Sequence, residues 1–203
     1  TPIFSLSGFL ELLEDEELDE ETRAAFLRQL RQQVNRLGKL ATDLLDLSRL
    51  EAGSLELRPE PTNLGDLAKG VAAEFTPRLA AHESHLELRL AGGRVEAVCD
   101  PERVAQIMRI LIDNALNHTP SGTDVVVAAA RRDGRVRLSV TDFGGGIERG
   151  ALHRIFEPFF TSDDAQGSGL GLAIAHELAE RMAGELSADS VPGRTTFSLE
   201  LPA

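Results

Sequence analysis

Beyond residue 110, four short segments carry residue types that can do chemistry together. Asp113-Asn114-Ala115-Leu116-Asn117-His118 closes a long apolar run. On a helix, Asn114, Asn117 and His118 lie a turn apart and share a face, so they can line a pocket floor. An asparagine oxygen is a hard ligand of the kind that Mg2+ accepts beside phosphates and water. Asp142-Phe143-Gly144-Gly145-Gly146-Ile147 follows a strand-like run. A carboxylate at a strand end can accept from an amine, and glycines let the backbone approach a flat ligand closely. Arg154-Ile155-Phe156-Glu157-Pro158-Phe159-Phe160 concentrates phenylalanine beside a loop. Such rings tether the loop to the core, and the same tether can anchor a lid. Gly167-Ser168-Gly169-Leu170-Gly171-Leu172 runs into a helix, whose first N–H groups and dipole suit phosphate. No strand directly precedes this loop and it has no Walker lysine, so neither dinucleotide-binding nor P-loop chemistry fits. Taken singly, each segment has a plainer reading: a frayed helix end, a loop, a hydrophobic anchor, a turn.

The elements that must position these residues follow from periodicity. Ile3, Leu6, Leu10 and Leu13 form a narrow apolar stripe, interrupted by the acidic stretch Glu14 to Glu21, which reads as a solvated turn. A second helix is expected from about Glu21 to Ala52, with Leu27, Leu30, Val34, Leu37, Ala41 and Leu44 in heptad rhythm and Gly53 as its stop. Leu40 and Leu47 widen that stripe, which predicts a partner hairpin, most simply a four-helix bundle made by a homodimer. Pro59 and Pro61 mark an extended linker, so the domains divide into a hairpin, 1–57, and a second domain, 58–203. In the second domain Asn63 caps a helix to about Ala81, and strands follow at His85–Leu90 and Val95–Asp100. Pro101 opens a helix to about His118, and Thr123–Arg131 and Arg135–Thr141 form a hairpin around Asp133-Gly134. A helix from about Leu170 to Ala183 and strands at Leu186–Asp189 and Thr195–Leu201 complete an α+β fold: a helical hairpin, then an α/β two-layer sandwich.

Composition narrows the function. With 33 Asp+Glu against 21 Lys+Arg, the 203-residue chain carries a formal charge of −12, which argues against a nucleic-acid partner. There is no Trp or Tyr to stack on single strands. Cys99, the one cysteine, lies in an apolar run and reads as a buried thiol in a reducing compartment. No apolar run is long enough to span a bilayer, so membrane contact by this fragment is not expected. The chain opens on Thr1-Pro2-Ile3, already inside a helical pattern, and reads as part of something longer.

In order and spacing, the four segments resemble the asparagine box, first glycine box, phenylalanine box and second glycine box of sensor histidine kinases. Asp43-Leu44-Leu45-Asp46-Leu47-Ser48-Arg49-Leu50-Glu51-Ala52-Gly53 looks like the end of their dimerisation and phosphotransfer hairpin. The resemblance implies that Asn114 coordinates the Mg2+ bridging ATP phosphates and that Asp142 accepts from the adenine amine, with Gly144, Gly146 and Ile147 shaping that end. It implies that Asn117 and His118 lie beside the nucleotide and that Thr195 supports the adenine site. Gly167, Ser168, Gly169, Leu170 and Gly171 would form the hinge and cradle of a lid. The implied activity is ATP-dependent phosphorylation of a histidine, then transfer to an aspartate on a response-regulator receiver domain. A cytoplasmic core, anchored to the cell membrane by upstream segments, is the implied location.

The departures from the family pattern are specific. The family's acceptor histidine stands four residues before a Thr-Pro pair, so here it would lie just upstream of Thr1. None of His82, His85, His118, His153 or His176 occupies that position. Thr1 matches the position that orients water when the regulator is dephosphorylated, which leaves a phosphatase role. Ile110 stands where the family has a second polar residue, and Asn117 where it has a basic one. The lid between Phe160 and Gly167 carries two acids and no cation. The rival reading is a scaffold that binds nucleotide or regulator without transferring phosphate.

Overall fold

The structure, a computed structural model, describes residue 8 and residues 19–90, 95–132, 134–161 and 168–203. The stripe from Ile3 to Leu13 and most of the acidic turn lie outside the described residues. The packing divides the chain into two compact units, Thr1–Asp46 and Leu47–Ala203.

Helix α1, Glu20–Glu51, is the long amphipathic helix that the heptads predict. Asp19 caps it: the Asp19 carboxylate accepts from Thr22 N (2.8 Å) and from the Thr22 hydroxyl (2.7 Å), and these bonds hold its pKa below the usual value. At the other end Gly53, with φ +67, turns the chain, and Gly53 N donates to Leu50 O (3.0 Å). Leu27, Val34, Leu44 and Leu45 of α1 are exposed, whereas Leu47 and Leu50 are buried in the unit that begins at Leu47.

That second unit is a two-layer α/β sandwich. Its mixed five-stranded sheet runs β2-β4-β5-β7-β6, comprising β2 Leu86–Leu90, β4 Val125–Arg132, β5 Arg135–Asp142, β6 Glu185–Val191 and β7 Arg194–Pro202. Among the described strands, only β2 and β4 pair in parallel. The opposite layer holds α2 Leu64–Glu74, α3 Thr76–Ala81, α4 Pro101–His118 and α5 Gly171–Arg181. Alternation along the strands turns Val136, Leu138 and Val140 of β5 and Phe197, Leu199 and Leu201 of β7 into the core. Fully burying one such side chain contributes about 1.5–3 kcal/mol.

Two local features differ from the sequence expectation. The segment read as a Pro59-Pro61 linker contains strand β1, Glu60–Asn63, which pairs antiparallel with β3, Glu96–Cys99. Proline is tolerated here because a two-stranded ribbon is all edge. The single helix expected from Asn63 to Ala81 breaks at Phe75 into α2 and α3. Pro77 has no N–H for Ala73 O, and the Thr76 hydroxyl donates to that carbonyl instead (3.0 Å). Cys99 is buried, and burial pushes its thiol pKa up.

Helix α4 carries the asparagine segment, and both its ends are specified locally. Asp100 is its N-cap, accepting from Glu102 N (3.1 Å) and Arg103 N (3.2 Å), with Pro101 at the first helical position. The other Asp100 oxygen accepts from Arg58 N (2.9 Å), fastening the chain before β1 to the same point. At the far end Thr119 is extended (φ −119, ψ 150), as a residue before proline must be. Asp100→Ala is expected to lower stability by about 1–2 kcal/mol, since three partly buried N–H···O bonds lose their acceptor. The check is a lower urea midpoint with an unchanged slope.

Candidate functional site

The last two turns of α4 lie between the two glycine segments. Ile110, which replaces a polar residue of the family pattern, packs toward Gly171, where a Cβ would stand 3.3 Å from its Cγ2. Thr119, whose hydroxyl donates to Ala115 O (2.8 Å), packs on Gly144 so closely that a Cβ there would meet Thr119 Cγ2 at 2.7 Å. On α4, Asn114 thus stands between Ile110, which packs toward the start of α5, and Thr119, which packs on Gly144. It is half-buried, and among the described residues no hydrogen bond engages its amide.

Asp142 ends β5 and is only 7% exposed. Its Oδ1 accepts from Gly144 N (3.0 Å). Burial raises its pKa above the usual carboxylate value, while that hydrogen bond and the charge of His118 pull the other way. His118, on the last turn of α4, shows the complementary effect. Its desolvation lowers the imidazole pKa, and the charge of Asp142 opposes the drop. Each side chain senses the other, which places both at one end of the site.

Sheet register completes that end. Asp142 on β5 pairs across from Thr195 on β7, and Thr195 pairs across from Ser190 on β6. The buried Thr195 hydroxyl lies 2.9 Å from Ser190 Oγ, which accepts from Ile147 N (2.8 Å). Gly146, at φ +83, fits under the same corner, where a Cβ would lie 2.6 Å from Val191 O. Ser190 was not singled out by its residue type. Its signal was the turn Pro192-Gly193, which sets it opposite Thr195.

The glycine loop enters α5 through Ser168, Gly169 and Leu170. Ser168 Oγ accepts from Leu170 N (3.2 Å), and Leu170 is fully buried. Gly169 O accepts from Phe159 N (2.9 Å), so the phenylalanine segment and the glycine segment are joined backbone to backbone. Phe156 packs against His176 of α5 (ring centroids 5.1 Å apart), and the Arg154 guanidinium sits 4.8 Å from the Phe160 ring centre. Phe159 itself is 62% exposed.

His118, Asp142, Gly144, Gly146, Ile147 and Thr195 therefore gather at the end of β5, while Leu170 and Gly171 lie beside Ile110, one turn before Asn114 on α4. Asn117 faces differently: it accepts from Arg78 Nη2 (2.6 Å), and Arg78 also bonds Asp113. The cation that the sequence lacks at position 117 is supplied beside it by α3. Thr1, Gly167 and the two acids of the lid, Asp163 and Asp164, lie outside the described residues. A shallow cleft of about 230 Å³ formed by Arg89, Val126, Thr141, Phe143, Arg194 and Thr196 is separate, since Thr141 and Thr196 alternate to the opposite sheet face from Asp142 and Thr195. Among the described residues there is no cluster of His, Cys, Asp and Glu suited to a metal, and no helix long and apolar enough to cross a membrane.

Comparison with known proteins identifies the family. The family model "Histidine kinase-, DNA gyrase B-, and HSP90-like ATPase" matches residues 99–203, and "His Kinase A (phospho-acceptor) domain" matches residues 1–53. Sensor histidine kinase GacS of Pseudomonas protegens is 33% identical across the whole chain, which spans 23% of its length. Histidine kinase AdeS of Acinetobacter baumannii superposes with a TM-score of 0.81 at 28% identity, covering 100% of this chain and 95% of that one. Full-length ShkA, solved in complex with AMPPNP, gives 0.79 at 31% identity, covering 99% of this chain and 43% of that one. The ATPase model alone would admit gyrase and Hsp90 relatives; the phospho-acceptor model before it does not. The chain belongs to the sensor histidine kinases and carries their catalytic core.

Proposed function

We propose that this chain binds ATP with Mg2+ between the end of α4 and the start of α5. We infer that the longer protein passes the γ-phosphoryl group to a histidine upstream of Thr1, and from there to an aspartate on a response-regulator receiver domain. The observation that carries the reading is the convergence of an unengaged Asn114 amide, the buried Asp142 carboxylate and the glycine-flanked start of α5. The residues fit the ligand pair. Asn114 offers a hard oxygen for Mg2+. Asp142 offers a desolvated acceptor for an exocyclic amine, and the close approaches at Gly144 and Gly146 leave backbone rather than side chain at that end. Asn117, His118, Ile147 and Thr195 frame the nucleotide, while Gly167, Ser168, Gly169, Leu170 and Gly171 carry the lid. Bound ATP·Mg2+ supplies an activated phosphoryl group; the protein's work is positioning and charge neutralisation. The binding of the ATP analogue AMPPNP by ShkA supports the reading.

The exposed Leu27, Val34 and Leu44 on α1 support a homodimer through the hairpin. Thr1 is proposed to serve only in dephosphorylating the regulator. The core is proposed to work in the cytoplasm, where ATP and receiver domains meet, with any membrane anchor supplied by other segments of the parent protein.

Calorimetric titration with ATP tests the proposal. Binding is expected in the presence of Mg2+, and Asn114→Ala is expected to weaken it roughly 10-fold or more, with the Mg2+ dependence largely removed. Binding that is indifferent to both Mg2+ and Asn114 would overturn the site. In the parent with its upstream residues, γ-labelled ATP is expected to give an acid-labile, base-stable phosphoprotein; an unlabelled protein that still binds ATP would favour the scaffold.

A further inference from the structure

A helix ends with four carbonyls that lack intrahelical partners. At the end of α1, Leu50 O accepts from Gly53 N (3.0 Å) and also from the guanidinium of Arg181. Arg181 is the last residue of α5, 131 positions away in sequence. Its Nε donates to Glu177 Oε1 (3.2 Å), one turn back on α5, which aims the guanidinium fork at the carbonyl. A cation at a helix C-terminus also meets the negative end of the helix dipole. The Leu50 side chain, 1% exposed, lies in the same buried cluster as Ile174 and Leu178 of α5, so apolar packing and a charged hydrogen bond act at one junction.

The opposite end of α5 is the proposed phosphate cradle. The helix is eleven residues long, a rod of about 15 Å between its end residues. One face of that rod is Ala173, Ile174, Ala175, Leu178 and Ala179, all buried. Packed this closely, α5 moves as a body rather than bending. What holds its first turn therefore bears on what its last residue holds.

We propose that Arg181 is a positioning residue that couples nucleotide at the start of α5 to the docking of the last turn of α1. The coupling rests on the nucleotide reading above. Linkage makes it reciprocal: nucleotide tightens the α1 junction by the same factor by which a docked junction tightens nucleotide binding.

Amide hydrogen exchange on the 203-residue chain, with and without AMPPNP and Mg2+, reads the coupling. The reporters are Ala52, Gly53 and Ser54, whose amides bond to Ser48 O, Leu50 O and Arg49 O. In the unaltered chain the analogue is expected to slow their exchange about fivefold or more. Arg181→Met keeps most of the stem and removes the fork. It is expected to abolish that response and to weaken analogue binding by a similar factor in calorimetry, whereas Arg181→Lys retains part of both. A residue that served stability alone would speed exchange in Arg181→Met yet leave the response to nucleotide intact, and that result overturns the proposal. Calorimetric binding without any change at 52–54 in the unaltered chain overturns the coupling and leaves the nucleotide site standing. Absence of calorimetric binding overturns both.

Discussion

Asp142→Asn is expected to weaken ATP binding by roughly 10- to 150-fold while raising the melting temperature of the ligand-free protein at neutral pH. The two effects have one cause. Asp142 is buried, and desolvation raises its carboxyl pKa. A group whose folded-state pKa is raised contributes stability below its unfolded pKa, near 3.8, and loses it as pH rises through the folded value. At neutral pH the ionised carboxylate is therefore a burden on the empty fold, and a neutral amide relieves it. Asparagine can still accept from Gly144 N, so the turn keeps its bond. It cannot supply a charge-assisted acceptor to an amine, an interaction of about 1.5–3 kcal/mol, which is the source of the range given. The pH dependence has a matching sign. As pH falls through the raised pKa, Asp142 is protonated and ATP affinity declines; Asp142→Asn is expected to lack that acid limb. Calorimetry across pH and thermal melts of the ligand-free proteins check both halves. An Asp142→Asn chain that binds ATP normally at neutral pH would remove Asp142 from the site.

Gly169→Ala is expected to give the largest loss of stability among substitutions in the glycine segments, roughly 2–5 kcal/mol. Gly169 has φ +71, where any Cβ is strained. A Cβ there would also stand 2.7 Å from Phe159 C, 2.8 Å from Phe159 Cα and 2.9 Å from Phe160 O. These are backbone atoms and cannot rotate aside. The hydrogen bond from Phe159 N to Gly169 O would break with the shift, and Phe159 is itself held at φ +64. The loss should appear as a drop in melting temperature of about 5–15 °C, with weaker binding of ATP at the proposed site because the Phe159–Gly169 junction beside the start of α5 shifts. Gly145→Ala is the control: nothing lies within 4 Å of a Cβ there, so little change is expected. A Gly169→Ala chain that melts with wild type would show that the Phe159–Gly169 junction is not held as described.

Much of this was legible because the signals are local. Pro101 after Asp100 announces the start of α4, since a fixed φ and a missing N–H suit a helix's first turn. Asn63 announces α2 through a cap on Gly65 N and Asp66 N. The glycine segments could be read because spacing and residue type coincide. What escaped notice depends on partners far along the chain. Glu60–Asn63 is a strand because of Glu96–Cys99, and nothing within Pro59-Glu60-Pro61 says so. Arg78 beside Asn117 and Arg181 on Leu50 O are side chains that find partners only once the helices have packed. Ile110, read as a missing polar group, is a spacer that fits the bare face of Gly171.

The order of strands in the sheet bears on synthesis. Strand β7 is the last of the five to be made, yet it lies inside the sheet between β5 and β6. Until it is inserted, β5 and β6 have no common neighbour, and Phe197, Leu199 and Leu201 are missing from the core. It also brings Thr195 opposite Asp142. Helix α1, built from local contacts, can form while the chain is still emerging, whereas the unit that begins at Leu47 must await its final strand. A nascent chain thus presents its helical segment before the unit that begins at Leu47 can close its core, and an incomplete translation product carries that helix beside an unfinished sheet.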